Sequence, residues 1–199
     1  MTALDERACG PCTVCCVVLK IEAPELHKKA QTPCRHLTST GCGIYAARPE
    51  VCQQFLCGWR LFGELDDDWR PDLSGVLVIR KAPAELPAAW RGAPYGIHLD
   101  ITGGEAAIIR AGFADYVARL MTQGIPVFLS AASPSTLVNE HLDAAHDIPG
   151  LRQKLLAIYA LLHAARWEKG VLRMLGPLYR LQLDRQRRKA KKYLYKSKE

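Results

Sequence analysis

Cysteine is the residue whose spacing can do chemistry in this chain. Four open it as Cys9-Gly-Pro-Cys12-Thr-Val-Cys15-Cys16, two overlapping C-x2-C steps ending in a doubled cysteine. Cys34, Cys42, Cys52 and Cys57 follow, and the 142 residues beyond them contain none. A C-x2-C turn carries both sulfurs to one side of the backbone, which is how such a segment wraps a metal ion. Zinc takes four tetrahedral ligands, so eight thiolates suffice for two all-thiolate sites. A [4Fe–4S] cluster also takes four thiolates, and C-x2-C-x2-C is the triple of ferredoxin-type clusters. The short-range fourth cysteine followed by proline is missing here, which leaves Cys16 or a remote cysteine to complete a cluster. Adjacent side chains diverge, so Cys15 and Cys16 are expected to serve different roles, as ligands of two sites or as one ligand and one buried thiol.

The compartment decides how such thiols are read. Asp5 and Glu6 stand where a signal peptide would carry its basic residues, and no apolar run approaches a membrane span. The expected location is therefore the cytoplasm, where clustered cysteines hold metal more often than they form disulfides.

The elements that must position these thiols can be outlined from pattern. Val17–Ile21 is β-prone, and loop chemistry dominates from Pro24 to Gly43. Arg48-Pro49-Glu50 looks like a helix start, with proline at the first helical position and an acid in the first turn, running toward Phe55. Cys52 and Cys57 lie about 140° apart on an ideal helix, so they share a ligand face only if the helix ends before Cys57, where Gly58 offers a stop. Asp66 to Asp72 reads as a polar linker. Three β-prone runs follow, Gly75–Ile79, Ile97–Ile101 and Pro126–Ser130. Between the last two, Ile108, Ile109, Ala111, Val117, Leu120 and Met121 recur at helical period from Glu105 to about Gln123. Strand, helix and strand at this length suggest a right-handed crossover in a small sheet. Ser133-Pro134 marks a short helix toward His146. Pro149-Gly150 opens a longer one with the stripe Leu151, Leu155, Ile158, Leu162 and Ala165, stopping near Gly170. Gly176-Pro177 punctuates a last helix that runs into the tail.

Read together, the cysteine-rich third carries a longer pattern. It runs C-x2-C-x2-C-C, then Cys34-Arg-His-Leu37, Gly41-Cys42-Gly-Ile-Tyr45, Arg48-Pro49, Cys52, Phe55, Cys57-Gly-Trp59 and Arg70-Pro71-Asp72-Leu-Ser-Gly75. This stretch, Cys9 to Gly75, resembles the YkgJ-like family of bacterial cysteine-cluster proteins described as zinc- or iron-chelating. The resemblance implies that Cys9, Cys12, Cys15, Cys16, Cys34, Cys42, Cys52 and Cys57 are thiolate ligands. A relative with this cysteine pattern, the flagellin lysine methylase, is regarded as iron–sulfur-dependent, which favours a [4Fe–4S] cluster over Zn2+ and suggests methyl transfer as an enzymatic alternative.

Other candidates are weaker. His36 could add a ligand, but eight thiolates suffice without it. His141 and His146 are five apart, the wrong spacing for one helical face. Trp59, Trp69 and Trp90 are expected to close a small core, and Asp66, Asp67 and Asp68 to form a solvated turn. Thr102-Gly103-Gly104 lacks the glycine series and the lysine of a phosphate loop. No Ser/His/Asp order, G-x-S-x-G or H-E-x-x-H marks a hydrolytic centre.

Charge is localised. Residues 185–199 hold eight basic groups against Glu199, a sum of +7, which accounts for the whole formal charge of the chain. With Tyr193, Leu194 and Tyr195 interleaved, this tail could contact an anionic partner, nucleic acid or lipid. The composition, 49% hydrophobic and 24% charged, is that of a globular protein. The expected fold is α+β: a cysteine-cluster metal-binding module over 1–75, a minor β-sheet with a crossover helix over 76–148, and C-terminal helices with the basic tail over 149–199. The function expected is metal binding, by an iron–sulfur cluster or zinc. An iron–sulfur-dependent enzyme and a zinc-stapled interaction protein are the alternatives.

Overall fold

A computed structural model describes residues 7–132, 135–142 and 147–170, together with Arg185 and Arg188, and of 166–170 the backbone alone. Ser133, Pro134, His146, the helix anticipated after Gly176-Pro177 and nearly all of the basic tail lie outside the described residues. The chain divides into two compact units, Met1–Ile79 and Arg80–Glu199. Helices and sheets are both present, so the fold is a mixed α+β one.

The first unit is built from very short elements. Helix α1 spans Val14–Val18. Val17 and Val18 were expected to open a β-prone run, but the chain ahead of Cys34 supplies what a five-residue helix lacks. The N–H groups of Cys34, Thr32 and Gln31 donate to the carbonyls of Cys16, Val17 and Val18 at 2.9, 3.1 and 3.2 Å. Those are last-turn carbonyls with no partner inside the helix. The extended run starts only at β1, Ile21–Ala23, which pairs antiparallel with β2, Leu26–Lys28. A second hairpin joins β3, Leu37–Thr38, to β4, Gly41–Cys42. The stretch expected to be loop from Pro24 to Gly43 thus holds three of these four strands.

Helix α2 covers Glu50–Gln54, with Pro49 at the N-cap, and it ends before Cys57. Gly58 is not its stop. Gly58 opens α3, Gly58–Leu61, with Cys57 as the cap residue. Glycine is needed there because a Cβ would collide with the Val78 side chain. The stretch read as a polar linker is folded: Asp66 accepts a hydrogen bond from the Asp68 N–H at 3.1 Å, Asp67–Trp69 form a 3-10 turn, and Pro71–Ser74 form α4. Trp59, Leu65 and Trp69 are buried, with Leu77 among the core residues of the unit. Strand β5, Val76–Lys81, carries the chain out of the first unit and into the second.

In the second unit β6, Gly96–Ile101, leads to α5, Glu105–Ile109, and α6, Phe113–Thr122. The helix expected as one piece from Glu105 to Gln123 breaks at Gly112, whose φ of +79° is left-handed backbone that glycine adopts freely. Strand β7, Val127–Ser130, then pairs parallel with β6, the pairing that a strand–helix–strand crossover produces. Strand β8, Ser135–Leu137, returns antiparallel to β7 where a helix was expected, and 138–140 form a 3-10 turn. Helix α7, Ile148–Gly170, packs against α5, α6 and β7 through the buried Leu151, Leu155, Ile158 and Leu162. Ala165 is half-exposed, and Ala157, Tyr159 and Ala164 complete the buried face instead. Trp90 belongs to this unit, packed on Leu86, Phe128 and Leu137. Among the described residues no helix is long and apolar enough to cross a membrane.

Candidate metal centre

All eight cysteines are free thiols, and all eight line one cavity of about 390 Å³ within the first unit. Its remaining wall is largely apolar, with Leu19, Ile21, Ile44, Phe55 and Leu77 among the lining residues. The Cys12 N–H donates to the Cys9 carbonyl at 3.0 Å, closing the first C-x2-C step into a turn. Cys15 and Cys16 sit on α1, Cys34 is held against α1 by its backbone, and Cys42 ends β4. Cys52 lies in α2 and Cys57 caps α3. Six separate local structures therefore deliver sulfur to one space. The side chains are not drawn together to ligand distance: among the described residues no group of three or more His, Cys, Asp or Glu side chains stands ready to hold an ion.

Electrostatics differ from thiol to thiol. A hydrogen bond from Cys15 to Cys16 raises the Cys15 thiol, and burial adds to the rise. The same bond lowers Cys16; burial opposes it, and the charges of Lys28 and Arg48 assist it. Burial pushes Cys12 up to about 11, with the Val14 N–H pulling the other way. Cys57 is raised by burial against the Arg60 N–H. Cys52 is raised by burial and then by the charges of Cys16, Cys34 and Cys42.

Two cations serve this cavity that sequence reasoning did not single out for it. Lys28 is buried and donates to the carbonyls of Val17, Thr32 and Lys29 at 2.8, 2.9 and 3.1 Å. Burial lowers its pKa while neighbouring thiolates oppose the fall. Arg48 lies over the Tyr45 ring at 4.1 Å, and the Tyr45 hydroxyl accepts from the Cys9 N–H at 3.4 Å. The Arg48 Nε–H and the Trp59 Nε1–H, both from cavity-lining residues, are buried with no acceptor among the described residues. Burial disfavours ionised Asp72, yet two hydrogen bonds from Arg70 at 2.7 and 3.1 Å hold its carboxyl below the usual range, and the Cys12 thiol adds to the effect. In sequence Arg48 marks a helix start and belongs to the Arg48-Pro49 stretch of the longer cysteine pattern, neither of which assigns it a place at the thiols, and nothing in local pattern distinguishes Lys28 from Lys29.

The donor set fits a thiolate-bound metal. Eight soft sulfur donors suit zinc or iron–sulfur chemistry and not the hard cations that prefer oxygen. The orphaned Arg48 and Trp59 donors are of the kind that hydrogen-bond to ligand sulfur and tune a centre. His36 also lines the cavity, its Nε2 accepting from Arg35 Nε at 3.1 Å. His141 lies elsewhere, 3.1 Å from the Thr136 hydroxyl.

The second unit holds a polar cluster that sequence order did not reveal. In the parallel register Asp100 pairs with Ser130 and His98 with Phe128. The Ser130 hydroxyl donates to Asp100 Oδ1 at 2.7 Å and lies 2.8 Å from His98 Nε2, and the Ala132 N–H donates to the same oxygen at 3.0 Å. With its proton directed at the carboxylate, the hydroxyl is not activated by the histidine. The arrangement satisfies a buried carboxylate and is not a nucleophile–base pair. Of the tail, Arg185 and Arg188 are exposed; the rest of 185–199 lies outside the described residues.

No protein-family model, curated protein or solved structure matches this chain.

Proposed function

We propose that this protein binds metal through Cys9, Cys12, Cys15, Cys16, Cys34, Cys42, Cys52 and Cys57, holding an iron–sulfur cluster or zinc. The observation that carries the reading is the convergence of eight free thiols from six local structures on one cavity. Thiols gathered at this density favour a soft metal, since the ligand is the thiolate and a bound cation holds it deprotonated. The resemblance to the YkgJ-like cysteine-cluster family, and to the iron–sulfur-dependent methylase that shares its pattern, puts the cluster ahead of zinc. Free thiols also accord with a cytoplasmic location.

Anaerobic purification followed by analysis for iron, acid-labile sulfide and zinc tests this directly. Brown protein with equal iron and sulfide supports the cluster. Colourless protein with stoichiometric zinc moves the assignment to zinc. Protein that holds neither, and takes up neither on reconstitution, refutes metal binding.

A further inference from the structure

We propose that the eight thiols form two four-sulfur sets, Cys9/Cys12/Cys15/Cys57 and Cys16/Cys34/Cys42/Cys52, so that the cavity takes two metal centres. This rests on the metal-binding reading above and specifies its ligand pairing. The division begins at the doubled cysteine. Cys15 and Cys16 are consecutive on α1, about 100° apart around the helix, so although their thiols hydrogen-bond to each other they face different neighbours.

On one side, the turn closed by the Cys12 N–H and the Cys9 carbonyl at 3.0 Å brings those two residues together. Cys15 interacts electrostatically with both, and Cys57 interacts with Cys9. On the other side, the Cys34 N–H donates to the Cys16 carbonyl at 2.9 Å. The Leu37 N–H donates to the Cys34 carbonyl at 3.0 Å, and Leu37 pairs with Cys42 across the β3–β4 hairpin. Backbone bonds thus chain Cys16, Cys34 and Cys42 into one neighbourhood. Among the cysteines, those three act on Cys52 most strongly. The sets meet at the Cys15–Cys16 hydrogen bond and at Arg48, which feels both Cys9 and Cys42.

Charge is shared unevenly between the two. Lys28 acts on Cys34 and Cys16 and also on Cys15, while Arg48 acts on Cys16, Cys52 and Cys42 and also on Cys9. Four thiolates around a divalent ion leave a charge of −2, and these two cations offset it chiefly at the Cys16 set. The Cys9 set faces Asp72 beside Cys12 and Arg60 beside Cys57.

Cobalt(II) titrated into the full-length, metal-free chain under reducing, anaerobic conditions tests the partition through thiolate-to-cobalt charge-transfer absorbance. The intact chain is expected to saturate at two equivalents. Cys52→Ala and Cys57→Ala should each saturate at one. The double variant within one set, C9A/C57A, should still take one equivalent, which also shows that it folds. The double variant across sets, C52A/C57A, should take none. Saturation of the intact chain at one equivalent overturns the partition, as does identical behaviour of the two double variants or loss of both equivalents in every single variant. A chain that develops no cobalt–thiolate absorbance fails the metal-binding reading itself.

Discussion

The two units stabilise themselves by different means. The second has the interior of an ordinary domain: Ile97, Leu99, Ile108, Phe113, Val117, Leu129 and Leu155 are all essentially inaccessible, and a 23-residue helix lies over them. Among its described residues the first has no helix longer than five residues, and it holds two small hairpins and a modest apolar set around Trp59, Leu65, Trp69 and Leu77. Where the second unit places hydrocarbon, the first places a cavity rimmed with sulfur. Under the proposed metal binding such a module folds as it binds, because ligand association and chain ordering are then one event.

The largest expected effect follows from that contrast. Removing metal with a chelator should cost the first unit on the order of 10 kcal/mol of folding free energy, as for structural zinc modules. Hydrogen exchange is the measurement: protection should vanish from β1 to β4 and persist in β6, β7 and α6. Equal loss in both units would break the comparison. The converse perturbation is Phe113→Ala, which empties a fully buried position and should cost about 3–5 kcal/mol in the second unit. Denaturant melts would show this loss while metal content stays unchanged. A smaller and sharper test is Gly58→Ala, where the collision with Val78 should cost roughly 1–3 kcal/mol of first-unit stability. Ser130→Ala should cost about 1–3 kcal/mol in the second unit by leaving Asp100 short of a donor, again without loss of metal.

Legibility from sequence also divides between the units. In the second, β-prone runs and a helical stripe located β6, β7 and α7 because apolar periodicity follows burial. The misses were a break at Gly112, whose glycine signal sat inside a continuous helical pattern, and β8, whose Ser135-Thr136-Leu137 carries little strand signal. In the first unit periodicity failed at almost every element. Helix α1 exists because Gln31, Thr32 and Cys34 supply N–H groups to its carbonyls, a long-range effect that Val14, Val17 and Val18 argue against locally. The cysteines themselves were legible because their spacing is chemical. They line one cavity without standing at ligand distance, whereas Lys28 carries no local mark and the Arg48-Pro49 stretch does not announce a place beside the thiols.

Lys28 has a practical corollary. An ammonium fastened to three backbone oxygens beside the sulfur pocket is shielded from amine-reactive reagents, whereas Lys20 and Lys29 stand in solvent. Acylation footprinting should therefore mark those two first and reach Lys28 only when the surrounding chain opens. One native side chain becomes a gauge of whether the sulfur-bearing half is intact.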